Sequence, residues 1–425
     1  MAVTATDVFD VANAVANIKN QYFRDLWFRS TKSNYPFSKF IGKRCSFLRI
    51  SVPDGHVLHL SSMRLWAEDP DGNLKTIDSL NEASLGSYYH GHTFKPEHLL
   101  DFENVGMHLH TDKSSPHLVL AFDECLLHRI EINNIEGLYM SRGWRISIET
   151  SNDGSEWTPA YSHAKRESEF PAYCKEFLSD RYPPHLVNRT VDLVREGFRN
   201  PKNLREKILA FNKNYGPECR SSMNDVLNKQ VLAAQHLEMT SSHGAQNTFR
   251  FWTEAKKKSY MAFAREATQK LSALGHEVFL GYGPVLGLAR EGKLIDHDDD
   301  IDLILIIDRQ PDEPVSEVLS RFHAILESAG FKVRGDYPNH RHIGLENRPK
   351  VLDVFMAVRE GDEIFFNPAK VQRVPVDEIL PLVEVEFLEQ KVKVPKNVLG
   401  FLTCMYGDNW RTPLPQFHHN WKPLS

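Results

Sequence analysis

Two rhythms of apolar positions divide the chain. In the last 170 or so residues, helical and extended segments alternate. Tyr260, Phe263, Ala264, Ala267, Leu271 and Leu274 recur at 3–4 spacing, which predicts an amphipathic helix ended by Gly275. Val278-Phe279-Leu280 reads as a strand, and Pro284 to Arg290 as a short helix with proline in its first turn. Ile301 to Ile307 is a buried strand, Ser316 to Ala329 a helix closed by Gly330, and Val351 to Val358 a further strand. The order predicts an α/β domain over residues 251–425.

Upstream the rhythm differs. Residues 41–165 carry short strands and frequent turn residues. Trp144-Arg145-Ile146-Ser147-Ile148-Glu149 alternates apolar and polar, Leu118 to Phe122 is more buried, and Asn152-Asp153-Gly154 marks a tight turn. These features predict a β-sandwich. Residues 166–250 change again: after the break at Tyr182-Pro183-Pro184 come amphipathic stretches Val191 to Phe198, Leu204 to Phe211 and Val226 to Met239. They predict a helical connector, with Ser241-Ser242-His243-Gly244 as a flexible join. Residues 1–40 form a helical lead in which Phe9, Val11, Ala12, Val15 and Ile18 share one face.

Composition narrows the class. A chain of 425 residues with 41% hydrophobic and 25% charged residues is a soluble, multidomain type, neither fibrous nor wholly disordered. No apolar run reaches the eighteen or so residues that cross a bilayer, so no transmembrane segment is expected. The N-terminus lacks a basic, apolar leader pattern. Five scattered cysteines with no CxxC pair argue against a disulfide framework and a cysteine zinc site. Reduced thiols and a cytoplasmic location follow as expectations, with the inner face of the membrane as one alternative. A net charge of −5 disfavours nucleic acid as a partner, and Lys256-Lys257-Lys258 reads as a solvated helix face.

The chemistry concentrates in Glu291 to Asp302, where six of twelve residues are acidic. Such a run repels itself unless solvated or holding a cation. It leads straight into the greasy strand at Ile301. Asp300 and Asp302, two apart, face the same way on an extended chain and suit Mg²⁺ or Mn²⁺. Asp353, a lone acid in the apolar strand Val351 to Val358, supplies a third carboxylate whose burial unpaired would be costly. Ahead of the pair, Leu280-Gly281-Tyr282-Gly283-Pro284 runs from strand through a glycine turn into a helix. Gly281 and Gly283 would allow a phosphate to approach the backbone, and Arg290 would fork onto it or pair with a neighbouring acid. His342, in His340-Arg341-His342, is a phosphate contact or a surface strand end. Tyr406 and Trp410 stack on a base or sugar, or belong to the core. His418-His419 reads as solvated.

Two resemblances add to this reading. Leu118 to Trp157, with Ser151-Asn152-Asp153-Gly154-Ser155-Glu156-Trp157 closing a strand, resembles the discoidin (coagulation factor 5/8 C-type) jelly-roll family. That implies a sandwich core filled by Trp157 and, at variable loops, a glycan-binding face or a mere positioning module. Gly283 to Arg290 followed by Ile295-Asp296-His297-Asp298-Asp299-Asp300-Ile301-Asp302 resembles the LicD/fukutin-like family of the nucleotidyltransferase superfamily. Leu352-Asp353-Val354-Phe355 and the tail Tyr406-Gly407-Asp408-Asn409-Trp410-Arg411-Thr412-Pro413 match as well. Pro284 replaces the family's usual threonine, and His297 stands where tryptophan is frequent.

The second resemblance implies a nucleotidyltransferase fold with Asp300, Asp302 and Asp353 as metal-binding and catalytic residues. The implied reaction moves a phospho-group, of phosphocholine or alditol phosphate type, from a CDP-linked donor to a hydroxyl of a glycan or glycolipid acceptor. One carboxylate, Asp353 among the candidates, would accept the hydroxyl's proton. The runner-up is a nucleotidyltransferase moving a nucleoside monophosphate onto a sugar or small molecule. A third reading is a glycan-binding protein with an inactive transferase domain.

Overall fold

The computed structural model describes residues 3–414 except 30–34, 70, 88, 90–95, 104–108, 136–139, 241–242, 338 and 347–349. Ser241, Ser242, His418 and His419 therefore lie outside the described residues. The chain forms two compact units, Met1–Gln235 and His236–Ser425.

In the first unit, α1 (Ala5–Tyr22) starts in a reciprocal cap, with the Thr4 hydroxyl accepting from the Asp7 N–H and the Asp7 carboxylate accepting from the Thr4 N–H. Val8, Val11, Ala12, Val15, Ala16 and Ile18 line its buried face, whereas Phe9, expected there, is 41% exposed. The strands β1 (Phe37–Ser51), β2 (His59–Glu68), β3 (Leu74–Thr76), β4 (Glu82–Leu85), β5 (Leu109–His110), β6 (His117–Asn134), β7 (Ser147–Ser151) and β8 (Thr158–Ser162) join in one antiparallel sheet; α2 (Pro96–Leu99) is a single turn. Its backbone order is β3-β2-β6-β1-β7-β8, with β4 on β6 and β5 on β2. Leu118 to Phe122, read as a short strand, is the first part of the long β6, which pairs β4 at its start and β2 at its end. The strand expected from Trp144 begins at Ser147, after a 3₁₀ turn over Met140–Arg145.

The turn at Asn152-Asp153-Gly154 forms as expected. Asp153 accepts the N–H groups of Ser155 and Glu156 at 2.8 and 3.0 Å, and these bonds hold its carboxyl well below the usual range. Gly154 takes the left-handed conformation the turn needs (φ 76°). Trp157, however, is not core. It is half-buried at the surface with the Arg49 guanidinium 4.4 Å from its ring centroid. Trp144 occupies the interior instead, its indole N–H donating to the Phe28 carbonyl at 2.6 Å.

Residues 163–226 are helices α3 (His163–Leu178), α4 (Pro184–Arg199), α5 (Leu204–Tyr215) and α6 (Pro217–Val226). They are no free linker: α4 and α6 pack on α1, and the whole set lies within the first unit. Packed against them is a fully buried lysine. Lys19 Nζ lies 4.7 Å from the Tyr35 ring, 4.6 Å from Phe198 and 5.6 Å from Trp27, and donates to the Tyr35 hydroxyl. Burial pushes its pKa well down.

The second unit begins with residues that the sequence assigned to the connector. β9 (Glu238–Thr240) and β10 (Gly244–Gln246) form a hairpin, and Phe249 and Trp252 join the core. Then follow α7 (Glu254–Ala273), β11 (Val278–Leu280), α8 (Tyr282–Glu291), β12 (Asp302–Asp308), α9 (Val315–Ser328), β13 (Lys332–Arg334), β14 (His340–Gly344), β15 (Leu352–Glu360), β16 (Glu363–Phe365) and β17 (Arg373–Pro375). The seven strands order as β11-β12-β15-β14-β13, with β16 joining β15 to β17. In this sheet β12 and β15 pair in parallel, and the other described pairs are antiparallel. A turn α10 (Val376–Ile379), the hairpin β18 (Val383–Phe387) and β19 (Gln390–Val394), and α11 (Val398–Tyr406) complete it. Leu303 to Ile307 and Leu352 to Val358 are buried without a break, as a sheet covered on both faces requires. Leu274, placed on the apolar face of α7 by its spacing, falls just past the helix end and is 45% exposed.

A lysine whose pKa is lowered on folding binds its proton more tightly in the unfolded chain, so stability rises with pH between the folded and unfolded values. Lys19→Met is expected to raise the melting temperature at neutral pH. The gain should shrink as pH approaches about 10. Thermal melts of wild type and variant across that range check both.

Candidate active site

The site is built by strand register. In the parallel pair, Asp302 stands directly across from Asp353. Neighbouring strands are about 4.8 Å apart, so the two carboxylates leave the sheet side by side. The Asp353 N–H donates to the Ile301 carbonyl (3.1 Å), and the Gly281 N–H to that of Asp302 (2.9 Å). Asp300 lies two residues back, and ligand atoms of Asp300, Asp302 and Asp353 all fall within 4.8 Å of one another. The three sequence-predicted acids therefore converge. At that separation two full charges repel by roughly 3 kcal/mol at an effective dielectric near 20.

The electrostatics record the strain. Burial, then the neighbouring carboxylates, push Asp298 and Asp302 well above the usual range, and burial with the charges of Asp353 and Asp299 raises Asp300 to about 6. Asp353 goes the other way. Burial pushes it up, but hydrogen bonds from two histidines hold it at about 2. His342 Nδ1 lies 2.7 Å from one oxygen and His340 Nε2 3.0 Å from the other. Both histidines sit on β14, where His342 is the direct cross-strand partner of Asp353. The His340 ring stacks on Phe355 at 4.5 Å. A carboxylate so engaged is a weak proton acceptor and a well-oriented cation ligand.

The glycines serve the acids. A Cβ on Gly283 would stand 2.3 Å from Asp298 Oδ2, and one on Gly281 2.7 Å from Ile304 Cγ1. The Gly283 N–H also donates to the Asp302 carboxylate. The absent side chains let α8 close onto carboxylates and sheet. Arg290 is committed elsewhere, its guanidinium donating to the backbone carbonyls of Trp410 and Thr412. Trp410 is buried in the core, so the base-stacking alternative falls away. Tyr406 is half-buried at the end of α11. Burial raises its phenol strongly, with the charges of Asp302 and Asp298 adding to the rise. His342, 36% exposed at its side chain, faces the cluster through Asp353 rather than standing apart as a strand end.

Three contributors were not singled out from sequence. Tyr260 on α7 accepts the Ile301 N–H at 3.3 Å and donates to the Val351 carbonyl, tying the approaches to both acid-bearing strands. Its place in the apolar spacing of α7 concealed the hydroxyl. His243, in the β9–β10 hairpin, lies 3.2 Å from Asp299 and 3.8 Å from Asp300, and the Asp299 hydrogen bond raises its pKa. Asp298 accepts the Asp299 N–H at 3.0 Å. The acidic loop is held from behind by the Phe249 and Arg250 N–H groups, which donate to the carbonyls of Asp298 and Asp296 at 2.7 and 2.8 Å.

Residues 275–397 match the LicD/FKTN/FKRP nucleotidyltransferase-domain family model. Gly281, Gly283, Arg290, Asp300, Asp302, His340, His342 and Asp353 fall inside the matched segment; His243, Tyr260, Tyr406 and Trp410 fall outside it. Among curated proteins, the chain is similar to the ribitol-5-phosphate transferase FKTN of Homo sapiens, 25% identical over 176 residues. The counterpart from Macaca fascicularis is 24% identical over the same length. Each alignment covers 40% of this chain and 36% of the relative, so the likeness spans little more than a third of those proteins. Among the described residues, no helix is long and apolar enough to cross a membrane.

A carboxyl whose pKa rises on folding stabilises the fold while protonated. Its contribution is complete below about pH 4 and is lost as pH climbs through the folded value. Without divalent cations the melting temperature is therefore expected to fall from about pH 5 to 7.5, and to fall less in Asp302→Asn. Adding Mn²⁺ at the upper pH should restore it. Tyr260→Phe should weaken Mn²⁺ binding several-fold with little loss of secondary structure. Calorimetric titration and circular dichroism check that pair.

Proposed function

We propose that the second unit is a divalent-cation-dependent transferase of nucleotidyltransferase fold. It moves a phospho-group of alditol phosphate or phosphocholine type from a CDP-linked donor to a hydroxyl of a glycan or glycolipid. The observation that carries this is the register of Asp302 against Asp353, with Asp300 beside them. The family match over residues 275–397 and the likeness to ribitol-5-phosphate transferases support the reaction class.

The donor set is all carboxylate oxygen, which suits Mg²⁺ or Mn²⁺. Asp300, Asp302 and Asp353 would hold the ion, whose chemistry is to neutralise the donor diphosphate and the charge on the departing CMP. His340 and His342 fix the rotamer of Asp353 through both of its oxygens. The Gly283 N–H orients Asp302, and Tyr260 fixes the spacing of the two strand mouths. Tyr406, whose phenol feels the charges of Asp302 and Asp298, is the candidate to contact the donor. The role of Asp353 as general base is set aside, since its proton affinity is low.

The first unit remains the candidate for acceptor handling, with the discoidin-like glycan face as its proposed chemistry. A nucleotidyl transfer would use the same acids but leave the nucleotide on the acceptor.

Incubation with a panel of CDP-alcohols, Mg²⁺ and glycan acceptors is expected to release CMP and to add the alcohol phosphate's mass to the product. Asp302→Ala should lower turnover by about 10³-fold or more, as expected when charge stabilisation is lost, with an unchanged circular dichroism spectrum. Retained turnover in that variant, or nucleoside on the product, would refute the assignment.

A further inference from the structure

The first unit holds a pair of thiols that sequence spacing hides. Cys45 and Cys125 lie eighty residues apart, on β1 and β6. These strands are neighbours in the middle of the sheet, and their antiparallel register sets the two cysteines directly opposite each other. Opposed residues project to the same face, with Cα atoms about 4.5 or 5.5 Å apart according to the hydrogen bonding of the pair. Both values fall within the roughly 4.4–6.8 Å that a disulfide spans. The sulfurs sense each other: burial pushes the Cys45 thiol up to about 12, the charge of Cys125 adds to the rise, and Lys43 opposes it. Both thiols are free. The other three cysteines stand on α3, α6 and α11, and none has a cysteine among the groups that shift it.

The ladder gives way beside this pair. β1 and β6 run in step through Lys43–Leu127, Arg44–Leu126 and Cys45–Cys125, then slip before Phe47–Ala121. Opposed Cβ atoms start about 4.5–5.5 Å apart, and a disulfide draws them to about 3.8 Å. The slip leaves residues next to the cysteines outside the paired register, where a small shift costs no cross-strand partner. The two thiols differ in access. Cys45 is 1% exposed, whereas Cys125 is half-buried. Burial raises the Cys125 thiol as well, with Arg44 opposing the rise and Asp123 and Glu124 adding to it. Cys125, the more accessible of the two, is the thiol that an oxidant reaches first.

We infer that Cys45 and Cys125 form a redox modification site, closed by a small peroxide into a disulfide that staples β1 to β6. The Cys125 thiolate attacks one peroxide oxygen, the O–O bond breaks, and the other oxygen leaves as water after taking a proton, which yields a sulfenic acid. The Cys45 sulfur then bonds to the Cys125 sulfur, the S–O bond breaks, and the hydroxyl leaves with the Cys45 proton as a second water. The two thiols lose two electrons and the peroxide gains them. The bond closes a loop of about eighty residues, so it stabilises the first unit chiefly by restricting the unfolded chain. It draws on none of the acids of the second unit.

Full-length reduced protein, treated with hydrogen peroxide at about pH 8.5 to supply thiolate, is expected to lose two of its five thiols to alkylation under denaturing conditions. Peptide mass spectrometry should show Cys45 joined to Cys125, and dithiothreitol should part them. The melting temperature should rise by about 5 °C or more and fall back on reduction. Cys45→Ala, or Cys125→Ser at the half-buried position, should show neither the link nor the rise. Cys404→Ser, a change in the second unit, should show both. Five thiols retained in wild type, sulfinic acid at Cys125 in place of the link, either cysteine joined to another partner, or a linked protein that melts no higher overturns the inference.

Discussion

Like charges forced abreast are the constraint around which the second unit is organised. Parallel pairing of β12 and β15 fixes Asp302 opposite Asp353, and no rotamer separates two short side chains on adjacent strands by much. The sheet tolerates this because apolar burial along both strands is large and continuous. At about 25 cal/mol per Å², a handful of buried Leu, Ile and Val side chains outweighs a few kcal/mol of repulsion. The core thus holds the acids in an arrangement that a bound cation would stabilise. Folding and charge repulsion oppose each other at this point, and a ligand that binds the folded state would reconcile them.

The histidines answer one part of the repulsion. By donating to both oxygens of Asp353, His340 and His342 favour the ionised form of that acid, whereas burial and like charge favour the protonated forms of its neighbours. The cluster is therefore asymmetric before any ion arrives, with one permanent anion and several acids ready to lose protons to a cation. Metal affinity at such a site rises with pH.

Much of the second unit was legible in sequence because its signals are local. The 3–4 spacing from Tyr260, the apolar runs at Ile301 and Val351 and the acidic stretch ending at Asp302 each reveal themselves within a dozen residues. What escaped depends on register and distance. That His342 meets Asp353 follows from strand pairing, which no single segment encodes. His243 sits in what reads as a join, and Tyr260 looks like one more apolar position on a helix. Arg290 was misjudged because a guanidinium beside an acidic loop suggests a phosphate, whereas its partners are carbonyls 120 residues downstream. In the first unit, Trp157, expected to fill the core, lies at the surface, and Trp144, on the apolar side of the alternation, is buried ahead of the strand rather than in it. Alternation tells which face a residue takes, not which face is covered.

The Arg290 tether carries its own consequence. The helix that bears Gly283 is fastened at its far end to the chain just beyond α11, through carbonyls that any residue there would offer. The identity of residues 410 and 412 thus matters less than their backbone path. Clipping the chain ahead of them would leave that guanidinium beside Tyr406 without its carbonyl partners. A truncation more than fifty residues past Asp353 would then loosen the helix whose first turn meets Asp298 and Asp302.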